Sequence, residues 1–122
     1  MKDIGTNDDG NGGYDLIVVG AGSAGFSAAI TAADAGKRVA LVGYGTIGGT
    51  CVNVGCVPSK TMIRAAESVH GVHAAKRFPG LSGHAQVDDW QALIRSKDDL
   101  VAALRQKKYA DLLPEYGGVD YI

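Results

Sequence analysis

The sequence predicts an α/β fold in which helices cover a parallel sheet, and three consecutive features support this prediction. An apolar run leads into a glycine-rich turn, an alanine-rich helical stretch follows, and a second apolar run comes next. The pattern extends from Tyr14 to Gly43, about 30 residues, which is the usual length of a β-α-β unit. With 122 residues, 46% of them hydrophobic, the chain has the size and composition of about one globular domain.

The first predicted strand is Leu16–Val19. All four of its residues are apolar, which is typical of a strand buried on both faces of a parallel sheet. Residues 1–13 are polar, rich in glycine and without periodicity, so we expect a flexible lead-in that carries no function. The structured part is therefore expected to be 14–122.

Three glycines mark the turn that follows this strand, at Gly20, Gly22 and Gly25. A G-x-G-x-x-G pattern between a strand and a helix is typical of dinucleotide binding. The first glycine permits the tight turn, the second lets the backbone approach a pyrophosphate, and the third lets the helix pack on the strand. The helix that follows is predicted to end at Gly36, and its N-terminus favours an anion. A glycine turn without a ligand is the alternative.

The second predicted strand, RVALVG, ends where a dinucleotide fold ordinarily carries an acidic residue. That residue, about 20 positions after the turn, holds the ribose of the adenosine half. Gly43 and Tyr44 occupy the place in this chain, and the nearest acid, Asp34, falls inside the preceding helix. Ribose recognition is therefore unexplained by the sequence.

Charge and hydropathy exclude several kinds of partner. Twelve basic and thirteen acidic side chains are interspersed and leave a net charge of -1, so the chain has no single-sign field to attract nucleic acid or anionic lipid. No apolar run approaches the length of a membrane span, and no basic leader precedes one. We therefore expect a soluble cytoplasmic protein.

Both cysteines of the chain, Cys51 and Cys56, lie within the stretch GGTCVNVGCVPSK. A disulfide closing so short a loop would stabilise the folded chain by roughly 2 kcal/mol through loop entropy, less than one closing a wide loop. Structural stabilisation by a disulfide is therefore a poor explanation for the spacing of the cysteines. A small zinc-binding domain is one alternative, because the cysteines form C-x4-C-x13-H-x2-H with His70 and His73.

A redox pair explains more of the surrounding residues. Pro58 suits the first turn of a helix predicted over residues 59–77, so Cys56 would lie just before a helix N-terminus. The helix dipole favours a thiolate there. Lys60 adds positive charge to the same end.

The last third of the sequence predicts one long amphipathic helix and the beginning of a strand. Apolar residues recur at helical spacing within DDWQALIRSKDDLVAALRQKKYADLL, and we expect this stripe to pack against the sheet. The strand is predicted at VDYI. No second G-x-G-x-x-G pattern appears in the sequence.

The stretch TIGGTCVNVGCVPSK resembles the redox-active disulfide segment of the flavin disulfide reductases, a family that includes dihydrolipoamide dehydrogenase and the mercuric reductases. The flanking stretches TMIRAAE and RQKKYADLLPEY look most like the mercuric reductase branch. The resemblance extends from about Tyr14 to Ile122 and is strongest over Gly45 to Glu67. It implies a Rossmann-like FAD-binding domain, of which this chain would be the N-terminal portion.

The resemblance also implies roles for individual residues. Cys51 would be the outer, interchange thiol and Cys56 the charge-transfer thiol above the flavin, while Lys60 would lie near the flavin N5. Both cysteines would hold Hg(II) transiently. The positions implied to contact FAD are Gly20, Gly22, Ser23, Ala24, Gly25, Gly49, Thr50, Cys51 and Lys60.

The activity implied by the family is transfer of a hydride from NADPH to FAD, and then of two electrons to the cysteine pair and on to the substrate. The substrate would be Hg(II), or a small disulfide or thiol if the chain is a dihydrolipoamide dehydrogenase or another reductase. The NADPH-binding and dimerisation domains of a homodimer would follow Ile122, so the isolated segment is expected to be inactive. An FAD- or nucleotide-binding module without turnover is an alternative of another class.

Overall fold

The computed structural model describes residues 13–122, so the lead-in predicted for residues 1–13 lies outside the described residues except for Gly13. The described chain confirms the predicted α/β fold with a parallel sheet. The strands are β1 (Leu16–Val19), β2 (Val39–Val42) and β3 (Val119–Tyr121), and the α-helices are α1 (Ser23–Asp34), α2 (Gly49–Asn53), α3 (Cys56–Ala74) and α4 (Trp90–Arg105). Short 3-10 turns at Ala75–Arg77 and Leu113–Glu115 and a π-helical turn at Gln106–Ala110 complete the secondary structure of this part of the chain.

The sheet has the order β1-β2-β3, and both pairings are parallel. The register of the first pairing runs from Leu16 opposite Val39 to Val19 opposite Val42. Helix α1 connects these two strands, which confirms the predicted β-α-β unit. The order is that of one half of a doubly wound dinucleotide-binding sheet.

The central strand β2 is buried, whereas β1 is not. Val39 and Leu41 are 0% exposed, but Ile17 is 63% and Val19 82% exposed. The prediction that β1 is buried on both faces is therefore wrong for residues 13–122. The reason is that successive side chains of a strand point to opposite faces of the sheet. Val18 packs against the core on the face that α1 covers, whereas Ile17 and Val19 point to the other face.

Helix α1 covers the sheet with its buried residues Phe26 and Ala29. It ends at Asp34, and the predicted terminator Gly36 follows the Ala35 C-cap with a φ of +76°. Helix α4 begins at an Asp89 cap, where the carboxylate accepts a hydrogen bond of 2.9 Å from the Ala92 N–H. It packs mainly against α2 and α3, so the predicted packing of the apolar stripe on the sheet is wrong for most of this helix. The C-terminal part of the stripe, from Leu104 to Leu113, does pack against the core that includes Val39 and Leu41 of β2. The buried Val52 of α2 belongs to the core, and α2 also contacts α4.

None of the helices in residues 13–122 is both long enough and apolar enough to cross a membrane.

Candidate functional site

The first turn of α1 offers backbone donors that have no partner within residues 13–122. The Phe26 N–H is the first to enter the helical ladder, donating to the Gly22 carbonyl at 2.9 Å. The N–H groups of Ser23, Ala24 and Gly25 therefore precede the ladder, and the N-cap Gly22 supplies no side chain to cap them. The first turn also carries no acidic residue. This helix end is thus suited to an anion.

The glycine turn brings α1 directly onto β1. Gly20 has a φ of +111°, a conformation that side chains rarely adopt. A Cβ atom on Gly25 would overlap the Gly20 carbonyl oxygen and would lie 3.3 Å from Cγ1 of Val18. The helix can therefore pack at this distance only with glycine at position 25.

The segment that leads to the cysteines touches the same turn. Gly48 forms a parallel bridge with Gly22, and its N–H donates to the Ala21 carbonyl at 2.9 Å. Gly49 follows with a φ of +69°, and a Cβ atom there would lie only 2.7 Å from the Gly22 Cα. Since α2 begins at Gly49, Cys51 lies two residues from this backbone contact.

The two cysteines and Lys60 come together where α2 meets α3. Cys51 lies within α2, and Cys56 is the first residue of α3, so this helix begins earlier than predicted. Both thiols are free and exposed. Hydrogen bonding with the Cys56 side chain raises the pKa of the Cys51 thiol above its ordinary value, with smaller contributions from desolvation and from the Cys56 charge, while the charge of Lys60 acts to lower it.

The raised pKa determines the protonation state of the Cys51 thiol. Because the folded-state pKa of Cys51 lies above the ordinary value, its neutral thiol is favoured around neutral pH. At a given pH, a smaller fraction of Cys51 is therefore thiolate than in an isolated cysteine. Removing the Cys56 side chain should lower that pKa, and removing the charge of Lys60 should raise it.

The zinc alternative requires the cysteines and histidines to converge, and they do not. His70 lies 14 residues beyond Cys56 along α3, about 21 Å of helical rise. Nowhere in residues 13–122 do three or more His, Cys, Asp or Glu side chains group as metal ligands would. The structure therefore offers no site formed by Cys51, Cys56, His70 and His73.

Two further residues of this region were missed by sequence reasoning. The Asn53 amide donates to the Ile47 and Gly49 carbonyls at 3.0 and 2.9 Å, and its oxygen accepts from Arg105 at 3.0 Å. The Tyr109 hydroxyl lies 2.8 Å from Ser23 Oγ. Their partners stand 52 and 86 positions away in the chain, and no local pattern marks such contacts.

The missing acidic residue at the end of β2 has a structural counterpart. The ring of Tyr121 lies across Gly43, where an added Cβ atom would be 2.6 and 2.7 Å from two ring carbons. The neighbouring Tyr44 is fully exposed. A larger side chain at position 43 would thus require Tyr121 to move, and the aromatic ring occupies the room that an acidic side chain would need.

A glycine turn with a free helix N-terminus, set against two exposed and adjacent thiols, defines a dinucleotide-binding protein of the redox-dithiol class. Residues 14–115 match the pyridine nucleotide-disulphide oxidoreductase family, and the chain belongs to this family. The matched region is the FAD-binding domain of the flavoprotein disulfide reductases. The predicted family and fold are thereby confirmed.

Individual relatives agree with this assignment. The chain is 54% identical over 105 residues to a mercuric reductase of Streptomyces lividans, covering 86% of this chain and 22% of the relative. It is 41% identical over 95 residues to a dihydrolipoyl dehydrogenase of Chlamydia muridarum, covering 78% and 20%. The structure resembles the HOCl-induced flavoprotein disulfide reductase RclA from Escherichia coli, with a TM-score of 0.68, 32% identity and coverage of 89% and 21%. The chain thus spans about a fifth of the length of these proteins.

Proposed function

We propose that the chain is the FAD-binding part of an NADPH-dependent mercuric reductase, which reduces Hg(II) to Hg(0) through Cys51 and Cys56. The observation that carries the proposal is the backbone contact between Gly22 and Gly49, because it joins the dinucleotide turn directly to the helix of the outer thiol. A dinucleotide lying in the turn would extend toward the cysteine pair. The identity to a mercuric reductase at 54% supports the choice of substrate.

The residues of the turn fit FAD. The N–H groups of Ser23, Ala24 and Gly25 would donate to its pyrophosphate, and Gly20 and Gly22 present no side chain there. Gly49, Thr50, Cys51 and Lys60 would contact the flavin half. Bound FAD would supply the two-electron carrier between the nicotinamide and the sulfur pair.

The two cysteines would perform the substrate chemistry. A Cys51–Cys56 disulfide that takes up two electrons and two protons becomes two thiols. Thiolates are the soft ligands that Hg(II) prefers, so binding of the ion by both sulfurs releases these two protons. A further two electrons convert Hg(II) to Hg(0), which leaves the sulfurs free. The exposure of both thiols permits such access.

Cellular location and assembly are part of the proposal. An exposed dithiol stays reduced in the cytoplasm, where disulfides are rare. A homodimer is proposed because the family resemblance implies one, and the substrate is expected to be a small ion rather than a nucleic acid.

A chimera tests the activity. This chain would replace the matching segment of the Streptomyces lividans relative, and NADPH oxidation would be followed by absorbance with Hg(II) in excess thiol. We expect mercury-dependent turnover with one flavin bound per subunit. Cys51→Ser and Cys56→Ser should each abolish turnover while leaving the flavin content unchanged.

Lipoamide serves as the competing substrate in the same assay. Turnover of lipoamide without turnover of Hg(II) would move the assignment to a dihydrolipoyl dehydrogenase. Flavin binding without turnover of either substrate would indicate that the chain is an FAD-binding module without catalytic activity. Absence of flavin from a folded chimera would contradict the proposal as a whole.

A further inference from the structure

Tyr109 is a buried tyrosine whose hydroxyl meets the dinucleotide turn. Its side chain is 8% exposed, and its ring packs edge-to-face on Phe26 with centroids 5.0 Å apart. The π-helical turn Gln106–Ala110 that follows α4 carries it, and such turns are frequent at functional sites. The hydroxyl lies 2.8 Å from Ser23 Oγ, at the first residue of α1.

The proton count of this pair leaves one donor free. Two hydroxyl groups carry two protons, and their mutual hydrogen bond uses one of them, whichever oxygen donates. The second proton remains available to a third group. Ser23 is exposed, and its N–H and those of Ala24 and Gly25 have no partner within residues 13–122, so an anion bound at the helix start is the natural acceptor.

We propose that Tyr109 is a positioning residue for the FAD pyrophosphate: it fixes the Ser23 hydroxyl at the start of α1 so that the pair donates one hydrogen bond to a phosphate oxygen. This inference rests on the proposed function, since it assumes that the turn holds FAD. It adds a side-chain donor to a phosphate site that otherwise consists of backbone N–H groups.

The surroundings of the pair favour an orienting role. Gly48 fits beneath the Tyr109 ring, where an added Cβ atom would lie 3.2 Å from a ring carbon. The same tyrosine therefore contacts side chains of α1 and lies beside the backbone at Gly48. A cavity of about 290 Å³ beside the pair is lined by Ser23 and Tyr109 together with Lys108.

Tyr109→Phe tests the proposal, because it keeps the ring and removes only the hydroxyl. FAD would be removed from the chimera, and its rebinding measured by flavin fluorescence; ADP and riboflavin would be measured alongside. We expect Tyr109→Phe and Ser23→Ala each to weaken FAD and ADP binding about tenfold, as loss of one charge-assisted hydrogen bond does. Riboflavin, which has no pyrophosphate, should bind unchanged.

The double variant Ser23→Ala/Tyr109→Phe should be no worse than either single variant, because the two hydroxyls act as one donor. Ser27→Ala is the matched control, since it changes an exposed serine one turn further along α1 that lines the same cavity. It should not alter FAD affinity. The urea midpoint of each FAD-free variant reports any purely structural effect.

The outcomes separate the two proposals. If the unsubstituted chimera binds neither FAD nor ADP, the proposed function fails and this inference fails with it. If it binds both, and Tyr109→Phe lowers only the urea midpoint, Tyr109 has a packing role and the inference alone is overturned. Additive losses in the double variant would also contradict a shared donor.

Discussion

The two ends of α3 lie in very different surroundings. At its N-terminal end, the glycine turn, α2 and Tyr109 pack closely, with Phe26 and Val52 each 4% exposed. The other end faces α4 across an apolar cavity of about 430 Å³, and Val87 and Trp90, which line this cavity, are 50% and 55% exposed. We call the first the turn region and the second the hairpin end. No residue of α3 is itself buried.

The turn region is tightly packed and has little room for atoms to move, whereas the hairpin end is loosely packed. In the turn region backbone meets backbone, and an added methyl group would overlap atoms that cannot move aside. At the hairpin end side chains meet solvent or empty space. A ligand site that depends on positions accurate to a fraction of an ångström belongs in the first kind of surroundings, and both thiols lie beside it.

Gly25→Val should have the largest effect on stability and flavin binding, because it changes the most closely packed position of the turn region. Its Cβ would overlap the Gly20 carbonyl oxygen, a backbone atom, so α1 must move off β1. We expect a loss of about 3 kcal/mol or more in the free energy of unfolding and loss of bound flavin. Urea denaturation and the flavin content of the purified chimera measure the two effects.

Gly71→Ala is the matched control at the hairpin end. A Cβ atom at this α3 position meets nothing within 4 Å. Alanine there should stabilise the protein by about 0.5–1 kcal/mol, because it restricts the unfolded chain and favours the helix. Equal destabilisation by the two substitutions would remove the distinction between the regions.

Local patterns were enough to predict the elements that form the turn. β1, α1 and β2 follow from the apolar runs and the glycine spacing, and the family resemblance adds the role of the cysteines. The exposure of β1 was not predictable, since burial depends on which strands and helices lie beside it. Contacts such as Asn53 with Arg105 join residues far apart in the chain, and no periodicity encodes them.

The next contrast compares one aromatic residue from each region. Phe26 is 4% exposed and packs on Tyr109, so Phe26→Ala should cost about 3 kcal/mol or more. Trp90 is 55% exposed at the edge of the hairpin cavity, and Trp90→Ala should cost about 1 kcal/mol. Chemical denaturation of both variants measures the difference. A cost for Trp90 as large as that for Phe26 would show that the hairpin end is a second tightly packed region.

A smaller effect on stability is expected from Asn53→Ala, which removes the side-chain hydrogen bonds of Asn53 but leaves the glycines of the turn region unchanged. Two carbonyls and Arg105 lose their partner, and we expect a cost of about 1–3 kcal/mol with weaker flavin retention. Ser68→Ala is the control, because Ser68 is exposed on α3 and, within residues 13–122, its hydroxyl donates only to the Arg64 carbonyl of its own helix. That substitution should change stability by less than about 0.5 kcal/mol.

The smallest expected effects concern the exposed thiols beside the turn region. They test whether neighbouring side chains change the pKa of Cys51 even though this residue is exposed. The Cys56 side chain raises the pKa of Cys51, and the charge of Lys60 lowers it.

In the FAD-free dithiol form, Cys56→Ala should therefore increase the alkylation rate of Cys51 at pH 7–8, because a larger fraction of Cys51 is thiolate. Lys60→Met should decrease that rate, and Lys76→Met, in the 3-10 turn that follows the same helix, should leave it unchanged. The measurement is the rate of iodoacetamide modification of Cys51, followed by peptide mass spectrometry between pH 6 and 10. If Cys56→Ala moved the pH profile of Cys51 upward, the two side chains would not be in the hydrogen-bonded contact that the redox assignment requires.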